Sequence, residues 1–167
     1  MKAMILTLIG KDKPGLVESL AQKVYTLNGN WLASNLSYMA GHFAGFAQVE
    51  VPPENQQELI NFLQQHPHLT IHSVSVEEMD KDDFEVAEID IMGNDKTGIV
   101  QELTTTLNRF NLNIMKFESS CESAPNWGSL LFKAHAVIAI PAEFDLDVLS
   151  DALEDIANDL VVDIELR

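Results

Sequence analysis

The sequence has a single cysteine, Cys121, among 167 residues, so it cannot form an internal disulfide, and we expect a reducing compartment such as the cytoplasm. Basic residues are scarce: ten Lys and Arg stand against 26 Asp and Glu, which gives a formal charge of −16. Negative charge of this size repels nucleic-acid phosphates and anionic lipid headgroups, so direct binding to DNA, RNA or a membrane surface is not expected. No apolar run is long enough to cross a bilayer, and the N-terminal segment predicts a first strand rather than a signal peptide.

Motifs for catalysis and for metal binding are scarce as well. No Walker-type loop or G-x-G-x-x-G turn follows a predicted strand, and no serine stands in a G-x-S-x-G context. The histidines lack paired cysteines or a dense carboxylate–histidine motif, so neither a metal nor a cofactor is expected. Cys121 becomes a candidate nucleophile if His135, on the neighbouring predicted strand, approaches it as a base. Since this is the one enzymatic hypothesis left, we expect a protein that is not an enzyme.

The sequence contains an internal repeat. Residues 10–17 have the sequence GKDKPGLV and residues 93–100 have GNDKTGIV, at an offset of 83. The apolar positions that follow keep this register at helical spacing. They are Leu16, Val17, Leu20, Val24 and Leu27 in the first copy and Ile99, Val100, Leu103, Leu107 and Phe110 in the second. We therefore expect two copies of one structural unit.

Each copy predicts the element order βαββαβ. The first copy is expected to contain strand 2–9, helix 14–28, strands 31–40 and 43–51, a helix after Pro53 and strand 69–77. The second is expected to contain strand 84–92, helix 97–110, strands 114–122 and 130–140, a helix after Pro141 and strand 160–166. This order is the split βαβ of ferredoxin-like folds, an α+β class in which both helices cover one face of an antiparallel sheet.

An acidic segment separates the two copies. Residues 77–83 are almost wholly charged and cannot bury a face, which is typical of a linker. We therefore predict a first domain at 1–78, an acidic linker at 79–83 and a second domain at 84–167. The charge is divided unequally, with a net of −5 in residues 1–83 and −11 in residues 84–167.

The repeated octapeptide marks the turn between the first strand and the first helix of each copy. Gly15 and Gly98 fall at the helix start, where free N–H groups and the positive end of the helix dipole attract a small anion such as a carboxylate. Asn30 and Asn113 begin the next strand, and we expect their amides close to that turn, available to an amino acid. The alternative is structural: Gly15 avoids a clash with Asn30, and the asparagines close a helix-to-strand turn.

These segments resemble a known family signature. GKDKPGLV with NGNW, and GNDKTGIV with NLNI, resemble the G-x-D-x-P-G-(L/I)-(V/L)…N-I signature of ACT domains, which are regulatory modules that bind amino acids. The similarity covers essentially the whole chain as two tandem copies. A two-domain chain of this length resembles the glycine cleavage system transcriptional repressor family in particular. Two positions depart from the signature: Thr97 replaces its proline, and Trp31 stands where isoleucine is usual and could fill the pocket of the first copy.

The resemblance implies a regulator that senses a small amino acid, with glycine a candidate, and controls transcription through a protein partner. In ACT pairs the ligand commonly lies between domains, near the first turn and the start of the second strand. By position, the implied contacts are Lys11, Asp12, Gly15, Asn30, Asn94, Asp95, Gly98 and Asn113. Because Asn94 adds an amide where the first copy has Lys11, the second copy is favoured if one copy alone binds.

The surface suggests how a partner would be bound. Acidic residues crowd the last predicted helix, at Glu143, Asp145, Asp147, Asp151, Glu154, Asp155 and Asp159. They form either a solvated helix face or a docking face for a basic partner, such as the DNA-binding surface of a transcription factor. The alternative function is a ligand-independent interaction module, since open sheet edges on small units favour pairing into homo-oligomers.

Overall fold

The computed structural model describes residues 1–76, 84–123 and 130–167 of the chain. The chain divides into two compact units, Met1–Asp80 and Lys81–Arg167. The predicted linker at 79–83 lies outside the described residues and stays a prediction. None of the helices in the described part is long and apolar enough to cross a membrane.

Each unit is a four-stranded antiparallel sheet with two helices. The first contains β1 (Lys2–Lys11), α1 (Leu16–Thr26), β2 (Asn30–Met39), β3 (His42–Val51), a 3₁₀ turn (Pro53–Asn55), α2 (Gln56–Gln64) and β4 (Leu69–Ser75). The second contains β5 (Glu85–Asn94), α3 (Ile99–Arg109), β6 (Asn113–Ser123), β7 (Leu130–Ile140), α4 (Leu146–Glu154) and β8 (Val161–Leu166). The strand orders are β2-β3-β1-β4 and β6-β7-β5-β8. The predicted pair of ferredoxin-like βαββαβ units is confirmed.

Buried and exposed side chains alternate along the central strand of each sheet, so one face of the sheet is covered by the helices and the other is open. In β1, Leu6 and Leu8 are buried, whereas Thr7 and Ile9 between and beyond them are exposed. A strand sends successive side chains to opposite faces, so the buried set meets the helices and the exposed set faces outward. Leu20 of α1 and Leu59 of α2 complete the first core. The second unit repeats this arrangement around Ile89.

The first helix of each unit begins later than the sequence predicts. The expected starts were 14 and 97, but α1 begins at Leu16 and α3 at Ile99. The reason is the residue just before each helix, because Gly15 and Gly98 have φ angles of 86° and 85° and are left-handed rather than helical. The residues preceding these glycines therefore belong to the turn.

Candidate functional site

The two glycine corners, residues 10–18 and 93–101, have the same backbone. A positive φ near 85° is rare for residues with a side chain, so these positions favour glycine. A Cβ at Gly15 would meet only Glu18 Oε2, at 3.9 Å, and a Cβ at Gly98 would meet no heavy atom of the described residues within 4 Å. The glycines therefore serve the backbone conformation, and the suggested clash of Gly15 with Asn30 is wrong.

Each corner leaves the first turn of its helix accessible. No side chain of the described residues caps either helix. The carbonyls of Gly15 and Gly98 accept the first helical hydrogen bonds, from Ser19 and Glu102 at 3.0 Å. A cavity of about 230 Å³ lies at the first corner, lined by Asp12 and Gly15, and one of about 330 Å³ lies at the second. Backbone N–H groups at such a helix start are suited to an anion.

The predicted asparagines lie far from the corner of their own unit. Asn30 pairs with Glu50 of β3, whereas Lys11 pairs with His42, eight residues away along the same strand. That separation is about 27 Å at the usual rise of an antiparallel strand. The expectation of proximity is wrong because α1 runs back along the sheet before β2 begins.

The second unit repeats this separation, since Asn113 pairs with Ala139 and Asn94 with Leu131. Trp31 pairs with Val49 at the same far end and packs against the first core. It is therefore not placed to fill the cavity at the Gly15 corner of its own unit.

The remaining predicted residues lie at the corners. Lys11 ends β1 and is exposed, and the Asp12 N–H donates to the Gly41 carbonyl at 3.1 Å. Asp95 lines the second cavity, and its N–H donates to the Leu130 carbonyl at 2.8 Å. The structure thus brings together Lys11, Asp12 and Gly15 in one unit and Asn94, Asp95 and Gly98 in the other.

Three residues of β6 were not predicted to lie at the second corner. Ser119, Ser120 and Cys121 line the cavity beside Gly98. Cys121 is exposed, and its pKa is raised, first by partial desolvation and then by the neighbouring Asp95 carboxylate. The equivalent register positions of β2 hold Leu36 and Tyr38, so the second corner is the more polar. No local pattern in the sequence marks these positions, because β6 reaches the corner through its pairing with β7.

In each unit the loop between the second helix and the last strand is bonded to the corner, and the bonds differ between the two units. In the first unit the α2–β4 loop supplies two histidines: His66 Nε2 lies 3.3 Å from Ser19 Oγ, and His68 Nε2 lies 3.2 Å from Lys13 Nζ. In the second unit the α4–β8 loop supplies a carboxylate and a carbonyl. The first corner is therefore fastened by titratable rings and the second is not.

The carboxylate at the second corner belongs to Asp159. Its Oδ2 accepts the Asn94 N–H at 2.9 Å, and Lys96 Nζ donates to the Ile156 carbonyl at 2.9 Å. The Asn94 N–H is the main cause of a pKa of Asp159 below its ordinary range. Asn94, predicted as a ligand residue, is thus engaged with this loop.

The Cys121–His135 pair does not assemble as a nucleophile and base. Cys121 pairs with the buried Phe132 and therefore shares the helix-covered face, whereas His135, three residues further along β7, points to the open face. There His135 Nδ1 contacts Asp90 Oδ1 at 2.9 Å. Among the described residues, no group of three or more His, Cys, Asp or Glu is arranged to hold a metal ion.

The open sheet faces differ in charge, most clearly along one row that crosses all four strands. In the first unit this row is Asn35, Phe46, Thr7 and His72. In the second unit the equivalent row is Glu118, His135, Asp90 and Asp163. A shallow cavity of about 480 Å³ lies over the second row. One backbone arrangement thus presents a carboxylate-free row in one unit and three carboxylates in the other.

Two of the acidic residues near the last helix have internal partners. Asp145 caps α4 by accepting the N–H groups of Asp147 and Val148, and Asp159 binds Asn94 as described above. The other five, Glu143, Asp147, Asp151, Glu154 and Asp155, are exposed.

Comparison with known proteins agrees with this geometry. The family model of the ACT domain matches residues 2–76. A crystal structure described as an unknown protein from Galdieria sulphuraria is 21% identical, covers 99% of this chain and 98% of its own, and has a TM-score of 0.86. A candidate glycine cleavage system transcriptional repressor is 17% identical, covers 99% and 97%, and has a TM-score of 0.69. No curated protein matches the sequence.

At these identities the two structures establish the shared fold, and the family model identifies the first unit. The second unit has the same element order, strand order and glycine corner as the first. The ACT domain family model thus matches residues 2–76, residues 84–167 repeat the same ferredoxin-like fold, and the candidate glycine cleavage repressor shares this two-unit fold along nearly the whole chain.

Proposed function

We propose that this chain is an amino-acid-responsive regulatory protein that binds a small amino acid at a glycine corner and controls transcription through a protein partner. The observation that supports this most is the duplicated corner, in which a left-handed glycine precedes a helix whose first turn has no side-chain cap among the described residues. The ACT domain match makes an amino acid the ligand class to test first.

The second corner is the better candidate. The carboxylate of an amino acid would accept N–H groups from the first turn of α3, aided by the helix dipole. The ammonium would face the Asp95 carboxylate, with the Ser119 hydroxyl as a further partner. A cavity of about 330 Å³ is near the lower end of ligand sites and suits a small amino acid such as glycine.

Asn30 and Asn113 lie too far from the corners to contact an amino acid bound at the corner of their own unit. Within one unit, each asparagine is about 27 Å from the corner by the strand register, because a strand rises about 3.4 Å per residue. An amino acid bound at a corner therefore does not reach the asparagine of the same unit. Binding would favour one conformation of the chain, and a partner that prefers that conformation would respond to the ligand.

Calorimetry of the whole chain against a panel of amino acids tests the ligand. We expect heat with a small amino acid, and at least a tenfold loss of affinity in Asp95→Asn. The matched variant in the first unit, Asp12→Asn, should leave that affinity unchanged. Absence of heat and of a thermal shift with every amino acid would refute the ligand proposal and favour the interaction module.

The partner is proposed to be basic and to dock on the open face of the second unit. Asp90 lies directly opposite Asp163, and like charges at opposite positions of a sheet destabilise it. A Lys- or Arg-rich segment of a partner would offset this repulsion and would be attracted by the acidic chain.

A labelled peptide of alternating lysine and threonine is the probe for this face. We expect the double variant Asp90→Asn, Asp163→Asn to weaken peptide binding to the full chain several-fold. Asp147→Asn, Asp151→Asn removes the same charge from α4 and should matter less. A larger effect of the α4 pair would show that the peptide binds the helix rather than the sheet face. Equal small effects would show that only the net charge of the chain attracts the peptide. Either result would refute docking on the sheet face.

The open face of the first unit favours a second candidate, a ligand-independent interaction module. Ile9 and Phe46 are each 51% exposed there, and Val74 is 65% exposed. Apolar side chains gathered on one uncovered sheet face are typical of a contact surface. The oligomeric state of Phe46→Ser can be measured by light scattering. If it differs from that of the unaltered chain and no amino acid binds, the ligand-independent interaction module is the better description.

A further inference from the structure

The α2–β4 loop of the first unit contains a histidine whose hydrogen bonds define its protonation state. His66 Nδ1 accepts the backbone N–H of His68 at 3.3 Å and of Leu69 at 3.1 Å. An imidazole nitrogen that accepts two N–H groups carries no proton, so the proton of neutral His66 is on Nε2. Ser19 Oγ lies 3.3 Å from Nε2 and donates its own hydrogen to the Leu16 carbonyl at 2.8 Å. Nε2–H therefore donates to Ser19.

A second histidine joins the same loop to the glycine corner. His68 Nε2 lies 3.2 Å from Lys13 Nζ, and an ammonium can only donate, so His68 accepts through Nε2 and is neutral. The carbonyl of His68 covers Gly10, where an added Cβ would lie at 2.2 Å from that oxygen. We name Lys13, Ser19, His66 and His68 the histidine clasp, because together they join the α2–β4 loop to the corner.

The hydrogen bonds of the clasp cannot be kept when its histidine rings are protonated. A proton on His66 Nδ1 would face two N–H donors, and a proton on His68 Nε2 would oppose the Lys13 ammonium. The pKa of His66 is lowered, first by burial and then by repulsion from His68 in its protonated form. The geometry and the pKa direction therefore agree that the clasp requires a neutral His66.

The charged groups packed around the clasp do not reverse this preference. Lys23 of α1 lies 5.6 Å from the ring centroid of Phe62, which itself stacks edge-on against His66. Glu58 of α2 is ion-paired with Lys23 at 2.6 Å, and Glu18 of α1 lies near Gly15. Within the described part of the chain, the polar contacts of His66 and His68 thus include a cation, Lys13, and no carboxylate.

The corresponding fastening in the second unit has no group that titrates near neutrality. Asp159 accepts from Asn94, and Lys96 donates to the Ile156 carbonyl while it pairs with Glu102. A carboxylate with a lowered pKa stays ionised throughout the range in which histidine titrates.

We propose that the histidine clasp is a pH-sensitive fastening: it joins the α2–β4 loop to the Gly15 corner at neutral pH and releases it in mildly acidic solution, whereas the Gly98 corner stays fastened. The chain then carries one pH-responsive and one pH-indifferent copy of the same corner. This inference does not require that either corner binds an amino acid.

Nuclear magnetic resonance of the full chain labelled with ¹⁵N tests the proposal directly. At neutral pH we expect long-range ¹⁵N–¹H spectra to show the Nε2–H form of His66. Between pH 7.5 and 5 the amides of Leu69, Gly15 and Leu16 should shift with the midpoint of His66, and that midpoint should lie below 6.5. The amides of Asn94 and Gly98 should not move. An Nδ1–H form at neutral pH, or a Gly15 amide indifferent to His66, would overturn the proposal.

A His66 variant that keeps a hydrogen-bond acceptor for the loop N–H groups distinguishes loss of titration from loss of the fold. The Oδ1 atom of His66→Asn can accept the same loop N–H groups but does not titrate. We expect the pH response of the Gly15 and Leu69 amides to be lost in this variant, with the spectrum otherwise retained. His72→Asn, on the open face of β4, should leave the response unchanged. Persistence of the response in His66→Asn would assign it to another group and refute the clasp.

Discussion

The two glycine corners share a backbone and differ in what surrounds it. Both have a left-handed glycine before an uncapped helix start. The equivalent phenylalanines Phe43 and Phe132 line both cavities, but the second is lined by Ser119 and Cys121 as well. Histidines hold the loop at the first corner, and Asp159 holds it at the second. Duplication has therefore kept the geometry that permits anion binding and changed the side chains that decide polarity and pH response.

The largest difference between the corners should appear when the first glycine of each, Gly10 or Gly93, is replaced by alanine. A Cβ at Gly10 would lie 2.2 Å from the backbone oxygen of His68, whereas one at Gly93 would lie 3.0 Å from Leu160 Cδ1. We expect Gly10→Ala to lower the free energy of unfolding by about 3 kcal/mol and Gly93→Ala by about 1 kcal/mol. Urea denaturation measures both, and equal losses would contradict the tighter packing of the first corner.

The left-handed glycines should respond alike. A Cβ at Gly15 or Gly98 would strike no neighbour among the residues that the structure describes, so substitution by alanine costs the conformational strain of about 1–2 kcal/mol at each site. Gly98→Asn should lose less than Gly98→Ala, because asparagine tolerates the left-handed region. Losses above about 3 kcal/mol, or a marked inequality between the two alanine variants, would show that packing determines these positions.

Acid should weaken the first unit before the second. Because the pKa of His66 is lowered in the folded state, the unfolded chain binds the proton more readily, and stability falls as the pH drops below about 6.5 and through the folded pKa. The lowered pKa of Asp159 delays the corresponding loss in the second unit until the pH falls below the ordinary carboxyl range near 4. Hydrogen exchange of amides in each unit, measured at pH 7 and 5, distinguishes the two.

The smallest expected effect concerns the Cys121 thiol. Its raised pKa lowers the thiolate fraction at neutral pH, so alkylation by iodoacetamide should be slower than for a free cysteine although the side chain is exposed. Asp95→Asn should speed the reaction a few-fold, and Asp12→Asn, its equivalent in the first unit, should not change it. Faster alkylation than in a cysteine peptide would contradict the electrostatic contrast between the corners.

The sequence predicted the fold well because the repeat and the apolar periodicity are local signals. Leu16, Leu20 and Val24 keep helical spacing, and Gly15 marks the corner in the octapeptide. The prediction that Asn30 lies near the corner was wrong. The distance from that residue to the corner depends on how α1 packs and how the strands pair, and no local sequence pattern contains this information. The neighbours Ser119 and Asp159 were missed for the same reason: each reaches its corner from a distant element.

A titration of the ¹⁵N-labelled chain with glycine and a panel of small amino acids tests the central claim most directly. The account predicts that one of them shifts the amides of Asp95, Gly98 and the first turn of α3, and that Asp95→Asn abolishes these shifts while Asp12→Asn preserves them. Unchanged amides at the Gly98 corner with every amino acid at millimolar concentration would contradict it.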